Sequence, residues 1–155
     1  MFEGCDMIAN LTRLPQGNAP QGVKIKRAFV GDKEAVLAFV RQHFSAGWVA
    51  EAECALLSHK CFIATEEGRL LGFACYDSTA KGYFGPIGVL EETRGKGVGS
   101  ALLIRTLECM REDGYGYAII GWVDDAEVFY RKTVGAEFIP GGEPENTVYS
   151  NLIVM

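Results

Sequence analysis

Along the chain the apolar positions switch repeatedly between a spacing of two and a spacing of three to four, which marks strands and helices in turn. Val23 to Phe29 alternates Val23, Ile25 and Arg27 against Lys24, Lys26 and Ala28, a strand pattern with incompletely divided faces. Gly31-Asp32 then opens a helix, with Asp32 as the candidate N-cap and Val36, Phe39, Val40 and Phe44 along one apolar face. Trp48 to Leu57 predicts a second, shorter helix. Lys60 to Thr65 and Arg69 to Tyr76 are strand-like runs around the polar turn Glu66-Glu67-Gly68, a hairpin signal.

The apolar run Gly82 to Leu90 comes next and ends in a glycine-rich loop. From Val98, the positions Leu102, Leu103, Leu107 and Met110 recur at helical spacing until Asp113-Gly114 stops them. Tyr117 to Trp122 predicts a buried strand, and Ala126, Phe129, Tyr130 and Thr133 line a helix that Gly135 closes. Two tail strands are expected, over Ala136 to Ile139 and Thr147 to Val154. At the other end, Met7 to Leu14 predicts an edge strand, followed by a Pro-, Gly-, Gln- and Asn-rich linker, so residues 1–22 form an N-terminal extension. Hairpins early and a strand-helix-strand-helix passage later predict an α/β (mixed α+β) fold with a mixed sheet.

Composition narrows this picture to one three-layer domain over residues 1–155, since 48% hydrophobic and 23% charged residues suit a single compact core. With no long apolar span and no basic-then-apolar leader, the expected location is cytoplasmic, with no membrane partner. The net charge of -5 argues against a nucleic-acid partner and is compatible with a cationic substrate as well as with ordinary solubility. Five widely spaced cysteines without a Cys-x-x-Cys pair predict reduced thiols, with Cys61 and Cys75 in the core. His43 and His59 stand alone, so no metal is expected.

The junction Val89-Leu90-Glu91-Glu92-Thr93-Arg94-Gly95-Lys96-Gly97-Val98-Gly99-Ser100 is where chemistry concentrates. Alternate glycines let backbone N–H groups converge, the helix that follows adds its positive end, and Arg94 and Lys96 add charge. Such a loop suits a pyrophosphate. A P-loop would need Ser or Thr after Lys96, where Gly97 stands, and a dinucleotide fingerprint would need Gly or Ala at Leu102.

The spacing of Arg94, Gly97 and Gly99 resembles the acyl-CoA loop of the GNAT superfamily, Arg/Gln-x-x-Gly-x-Gly/Ala. Two further features extend the resemblance over residues 82–139: a preceding strand holding Gly85, Pro86 and Gly88, and a helix containing Phe129-Tyr130 that closes at Gly135. The resemblance implies a sheet with a splayed strand pair, helices on both faces, acetyl-CoA as co-substrate and an amine as acceptor. It implies CoA contacts from Val89, Arg94, Gly95, Lys96, Gly97, Val98, Gly99, Ser100 and Phe129. Gly85, Pro86 and Gly88 are equally compatible with an edge strand. The chain departs from the family at Val123, where Asn is common, and at Ala136, where Phe is common; Asp124 or Asp125 offers a substitute polar contact.

Acyl transfer to an amine needs a base, an oxyanion donor and a proton for the leaving thiolate. By position in the family pattern, the Val89 backbone N–H is the oxyanion donor and Tyr130 the general acid, although Tyr130 also fits as a core aromatic. Glu51 is the base candidate, with Glu53 and Asp77 as alternatives. The acceptor pocket is expected from Trp48 to Leu57, the early hairpin and the loop Gly141 to Asn146. An inactive CoA-binding sensor or partner module, and a loop for another nucleotide, are the competing readings; a homodimer is an open possibility.

Overall fold

The computed structural model describes residues 3–153. Among these, seven strands and four helices follow the order that the periodicities predict. They are β1 Cys5–Asn10, β2 Lys24–Arg27, α1 Lys33–His43, α2 Ala46–Leu57, β3 Cys61–Glu66, β4 Arg69–Tyr76, β5 Tyr83–Val89, α3 Val98–Glu112, β6 Tyr117–Val123, α4 Glu127–Val134 and β7 Glu137–Phe138. Glu67 and Gly68 both take positive φ, 50° and 79°, as a two-residue hairpin turn of the right twist requires, and this pairs Glu66 with Arg69 and Cys61 with Cys75.

The sheet runs β2-β3-β4-β5-β6-β1-β7. Every pairing is antiparallel except β5 with β6, where α3 makes the crossover that a parallel pair needs. Successive β4 side chains face opposite ways: a Cβ on Gly72 would lie 3.1 Å from Leu102 of α3, whereas Phe73 meets the rings of Phe39, Phe44 and Trp48. α1 and α2 therefore cover one face and α3 the other. Leu102, Leu103, Leu107 and Met110 are fully buried against the sheet, as their spacing predicts. Cys61 and Cys75 are buried free thiols. No described helix is long and apolar enough to cross a membrane.

Three expectations need correction. The N-terminal strand is not at an edge, because β1 lies between β6 and β7, with Met7, Ala9 and Leu11 wholly buried. Its alternation of Cys5, Met7, Ala9 and Leu11 is real but is diluted by Asp6, Ile8 and Asn10 between them. The second tail strand does not form. The Thr147 side chain accepts from the Tyr149 N–H and Ser150 Oγ donates to the Thr147 carbonyl, so residues 148–151 close into a 3-10 turn; Val154 lies outside the described residues. Asp32 precedes α1 but does not cap it, since its carboxylate accepts from the Phe29 N–H and from Lys26 Nζ, each at 2.8 Å.

Candidate active site

A continuous cleft of about 1100 Å³ runs from the glycine loop, across the open side of β5, to α2 and the C-terminal turn. At the loop, Gly95 and Gly97 hold φ of 80° and 90°, backbone that a side chain rarely tolerates, and a Cβ on Gly95 would meet nothing within 4 Å. Gly97 is the N-cap of the fifteen-residue α3, so the first amides of that helix are free to meet an anion over open space. Arg94, Gly95, Gly97, Gly99 and Ser100 line the cleft. Lys96 is exposed at the rim outside that lining, and the Val98 side chain is turned into the core, leaving only its backbone for a ligand.

The strand before the loop opens as the sequence implied. β5 and β6 are paired only at Tyr83–Ile119 and Phe84–Ile120. The register against β4 carries an extra residue between Phe84 and Ile87, so the bulge falls at Gly85-Pro86, and β5 is an interior strand, not an edge. Beyond it the Leu90 N–H donates to the Leu71 carbonyl at 2.9 Å; alternation then turns the Val89 N–H away from β4, into the gap. Arg94 Nε approaches the Val89 carbonyl from that side at 3.4 Å. Gly88 has a separate reason to be glycine: a Cβ there would sit 2.5 Å from the Phe44 ring.

Tyr130 lines the same cleft, with its ring edge-on to Phe84 at 6.3 Å and tilted against Phe129. Its hydroxyl makes no hydrogen bond to a described residue. Burial, and then the charge of Tyr149, push its pKa well above the ordinary phenol value, so it stays protonated at neutral pH. Phe129 reaches over Gly99, where a Cβ would lie 3.5 Å from its ring.

At the far end, Thr79 Oγ1 donates to Glu51 Oε1 at 3.0 Å, and Tyr149 lines the same part of the cleft. Burial raises the Glu51 pKa above the usual carboxylate value, partly offset by the Thr79 hydrogen bond. Tyr149 is pushed up to about 12, by burial first and then by the Glu51 charge. Its ring stands edge-on to Trp122 at 5.3 Å, and a Cβ on Gly121 would overlap its hydroxyl. Trp122 has φ 50°, strained for a bulky residue. The buried Asp6 secures it, accepting from the Trp122 N–H at 3.1 Å and from the Tyr83 hydroxyl at 2.9 Å.

Of the carboxylates weighed as the base, only Glu51 lines the cleft. Glu53 pairs with Lys33 at 3.3 Å. Asp77 is engaged by Lys60, the Gly82 N–H and Tyr115; burial raises its pKa, but these hydrogen bonds prevail and hold it below the usual value. Of the segments expected to form an acceptor pocket, Trp48 and Glu51 line the cleft while the early hairpin and residues 141–146 do not; Thr79, Trp122 and Tyr149 line it as well. Asp124 and Asp125 do line the cleft. Among the described residues no three His, Cys, Asp or Glu side chains cluster as metal ligands.

Residues 32–136 match the model of the acetyltransferase (GNAT) family. Among solved structures, a GCN5-related N-acetyltransferase from Sphaerobacter thermophilus superposes with TM-score 0.69 at 21% identity, over 88% of this chain and 49% of that one. One from Kribbella flavida gives 0.66 at 18% identity, over 88% and 54%. The glucosamine N-acetyltransferase region of a fungal multi-domain GH3 β-N-acetylglucosaminidase gives 0.66 at 15% identity, over 88% and 20%. The chain thus spans about half, or less, of these proteins, and at such identities the likeness is one of fold. A comparison with curated proteins finds no significant sequence match.

Proposed function

The chain belongs to the GNAT acetyltransferase family, and from that premise we propose that it is an N-acetyltransferase that moves an acetyl group from acetyl-CoA to a primary amine by direct attack. One observation carries this reading: the gap-facing Val89 N–H, the protonated Tyr130 and the glycine loop line a single cleft. A module that only bound CoA would have no need of a proton donor in the cleft, so a protonated Tyr130 lining it favours catalysis over the sensor reading.

In the proposed reaction the CoA pyrophosphate rests on the amides of residues 95–100 beside Arg94, with Lys96 adding charge at the rim and Phe129 packing along the cofactor. An alkylammonium has a pKa near ~10.4, so it must give up a proton before it can attack. Glu51, whose burial makes it a stronger base than an exposed carboxylate, accepts that proton. The freed nitrogen lone pair attacks the thioester carbonyl, and the oxyanion accepts a hydrogen bond from the Val89 N–H. Collapse of the adduct breaks the carbon–sulfur bond, Tyr130 gives its proton to the departing thiolate, and the still-cationic nitrogen releases its second proton to solvent, leaving a neutral amide and free CoA thiol. The proton on Glu51 returns to Tyr130 through solvent, closing the cycle.

The test is thiol release from acetyl-CoA across a panel of amines, with wild type beside Tyr130→Phe. Turnover that falls in the variant while acetyl-CoA still binds supports the assignment. Tight binding of acetyl-CoA with no turnover for any amine would favour the CoA-binding module. Thermal stabilisation by ATP or NAD but not by acetyl-CoA would overturn the ligand itself.

A further inference from the structure

Resting on the transferase reading above, we infer that the acceptor is a primary amine with an apolar body and no anionic substituent, an arylalkyl- or alkylamine. Its nitrogen would sit at Glu51 and its body between the rings of Trp48, Tyr149 and Trp122. Three features of the far end of the cleft point the same way.

The first is charge. Four charged side chains line the cleft: Arg94, Glu51, Asp124 and Asp125. Arg94 stands at the glycine loop, beside the amides that await phosphate, and its Nε already faces the Val89 carbonyl. At the acceptor end there is a carboxylate and, among the described lining residues, no cation. An amine that also carried a carboxylate or phosphate would bring that anion up to Glu51 with nothing to neutralise it. A simple ammonium, by contrast, meets its counter-charge there.

The second is ring surface. Phe44 and Trp48 are stacked at 5.3 Å with 28° between their planes, and Trp122 meets Tyr149 at 5.3 Å on the other wall. Trp122 is 48% exposed despite its size, so its indole is presented and not packed away. Aromatic faces flanking a carboxylate bind an ammonium through the ring quadrupole and bury the hydrocarbon attached to it.

The third is the shortage of spare hydrogen-bonding groups. Thr79 is already committed to Glu51, and Asp6 is committed both to the Tyr83 hydroxyl and to the Trp122 N–H. A polyhydroxylated amino sugar would bury several hydroxyls against rings with few partners, whereas a hydrocarbon body leaves no polar group unsatisfied.

The experiment is steady-state kinetics on the whole chain at saturating acetyl-CoA with phenethylamine, hexylamine, phenylalanine and glucosamine. Phenylalanine is phenethylamine with a carboxylate added, so this pair isolates the charge argument without a mutation. The expected result is a kcat/KM for phenethylamine on the order of 100-fold above that for phenylalanine, the size of effect that an unpaired buried charge produces. Glu51→Gln should lower kcat for both amines and, by raising KM for phenethylamine alone, bring their kcat/KM values closer together, and Trp48→Phe should keep the preference where Trp48→Ala weakens it. Equal or better turnover of phenylalanine or glucosamine would overturn the inference while leaving the transferase intact. Acetyl-CoA bound with no thiol released for any of the four, or for a wider panel, would overturn the transferase reading and this inference with it.

Discussion

At the glycine-loop end of the cleft, one continuous stretch, residues 89–100, supplies the strand amide, the positive-φ glycines and the start of α3. At the end proposed for the acceptor, Asp6, Trp48, Glu51, Thr79, Trp122 and Tyr149 arrive from four elements and a loop spread over almost the whole chain. The first kind of site is made by backbone conformation, so its function depends on which residues can adopt that conformation. The second is made by tertiary packing, and a residue that touches no substrate can reshape it. Asp6 is such a residue: through the Trp122 N–H and the Tyr83 hydroxyl it holds Gly121-Trp122, where β6 carries an extra residue against β1 and where the Tyr149 ring packs. If the two ends are independent in this way, substitutions at one should leave the other's ligand unaffected.

The sharpest break should come from Gly97→Val. A β-branched residue at φ 90° strains the loop and lays a side chain across the free amides at the start of α3. Hydrogen bonds to a charged group contribute about 1.5–3 kcal/mol each, so losing two should weaken acetyl-CoA binding on the order of 1000-fold. Isothermal titration with acetyl-CoA reads this, and an unchanged circular dichroism spectrum shows that the fold survives. A comparable loss of amine affinity would mean that the two ends are coupled.

Where the ends meet, Tyr130→Phe removes a proton donor and little volume, so kcat should fall about 100-fold while both KM values hold. Burial keeps Tyr130 protonated, so wild type should show no loss of activity from its ionisation as pH rises to about 10. A third substitution probes the acceptor end alone. In Gly121→Ala the new Cβ meets the Tyr149 hydroxyl and lies 2.9 Å from the Tyr83 ring, so Tyr149 must move. Overpacking of this kind costs about 1–3 kcal/mol, and amine KM should rise roughly tenfold with acetyl-CoA affinity unchanged.

The same division explains what was legible in the sequence. Strands and helices around the glycine loop follow from local periodicity, and Arg94, Gly97, Gly99 and Tyr130 sit at a spacing that one segment can display. Tyr149 could not be read this way, because its place depends on a Thr147 turn and on the absence of a side chain at Gly121, 28 residues earlier. Nor could the position of β1, since its partners β6 and β7 lie more than a hundred residues away. Gly88 was visible but misattributed: its smallness admits the Phe44 ring, whereas the opening of the strand begins at the Gly85-Pro86 bulge.

The smallest effect separates what Glu51 does for chemistry from what it does for folding. Burial raises its pKa, so the native state holds the proton more tightly than the unfolded chain does. Its contribution to stability is therefore present at low pH, below the unfolded value of ~4.3, and is lost as pH rises through the native value. Catalysis needs the opposite protonation state, so kcat/KM should fall as pH drops through a value above the ordinary carboxylate range. Glu51→Gln should abolish that acid limb along with most of the activity. It should also raise Tm slightly at neutral pH, where wild type carries a half-buried charge, and lose that advantage in acid, where the wild-type carboxyl is itself neutral. A variant whose Tm falls at neutral pH would mean that the charged carboxylate holds the acceptor wall together, and the two ends of the cleft would then differ less than their construction implies.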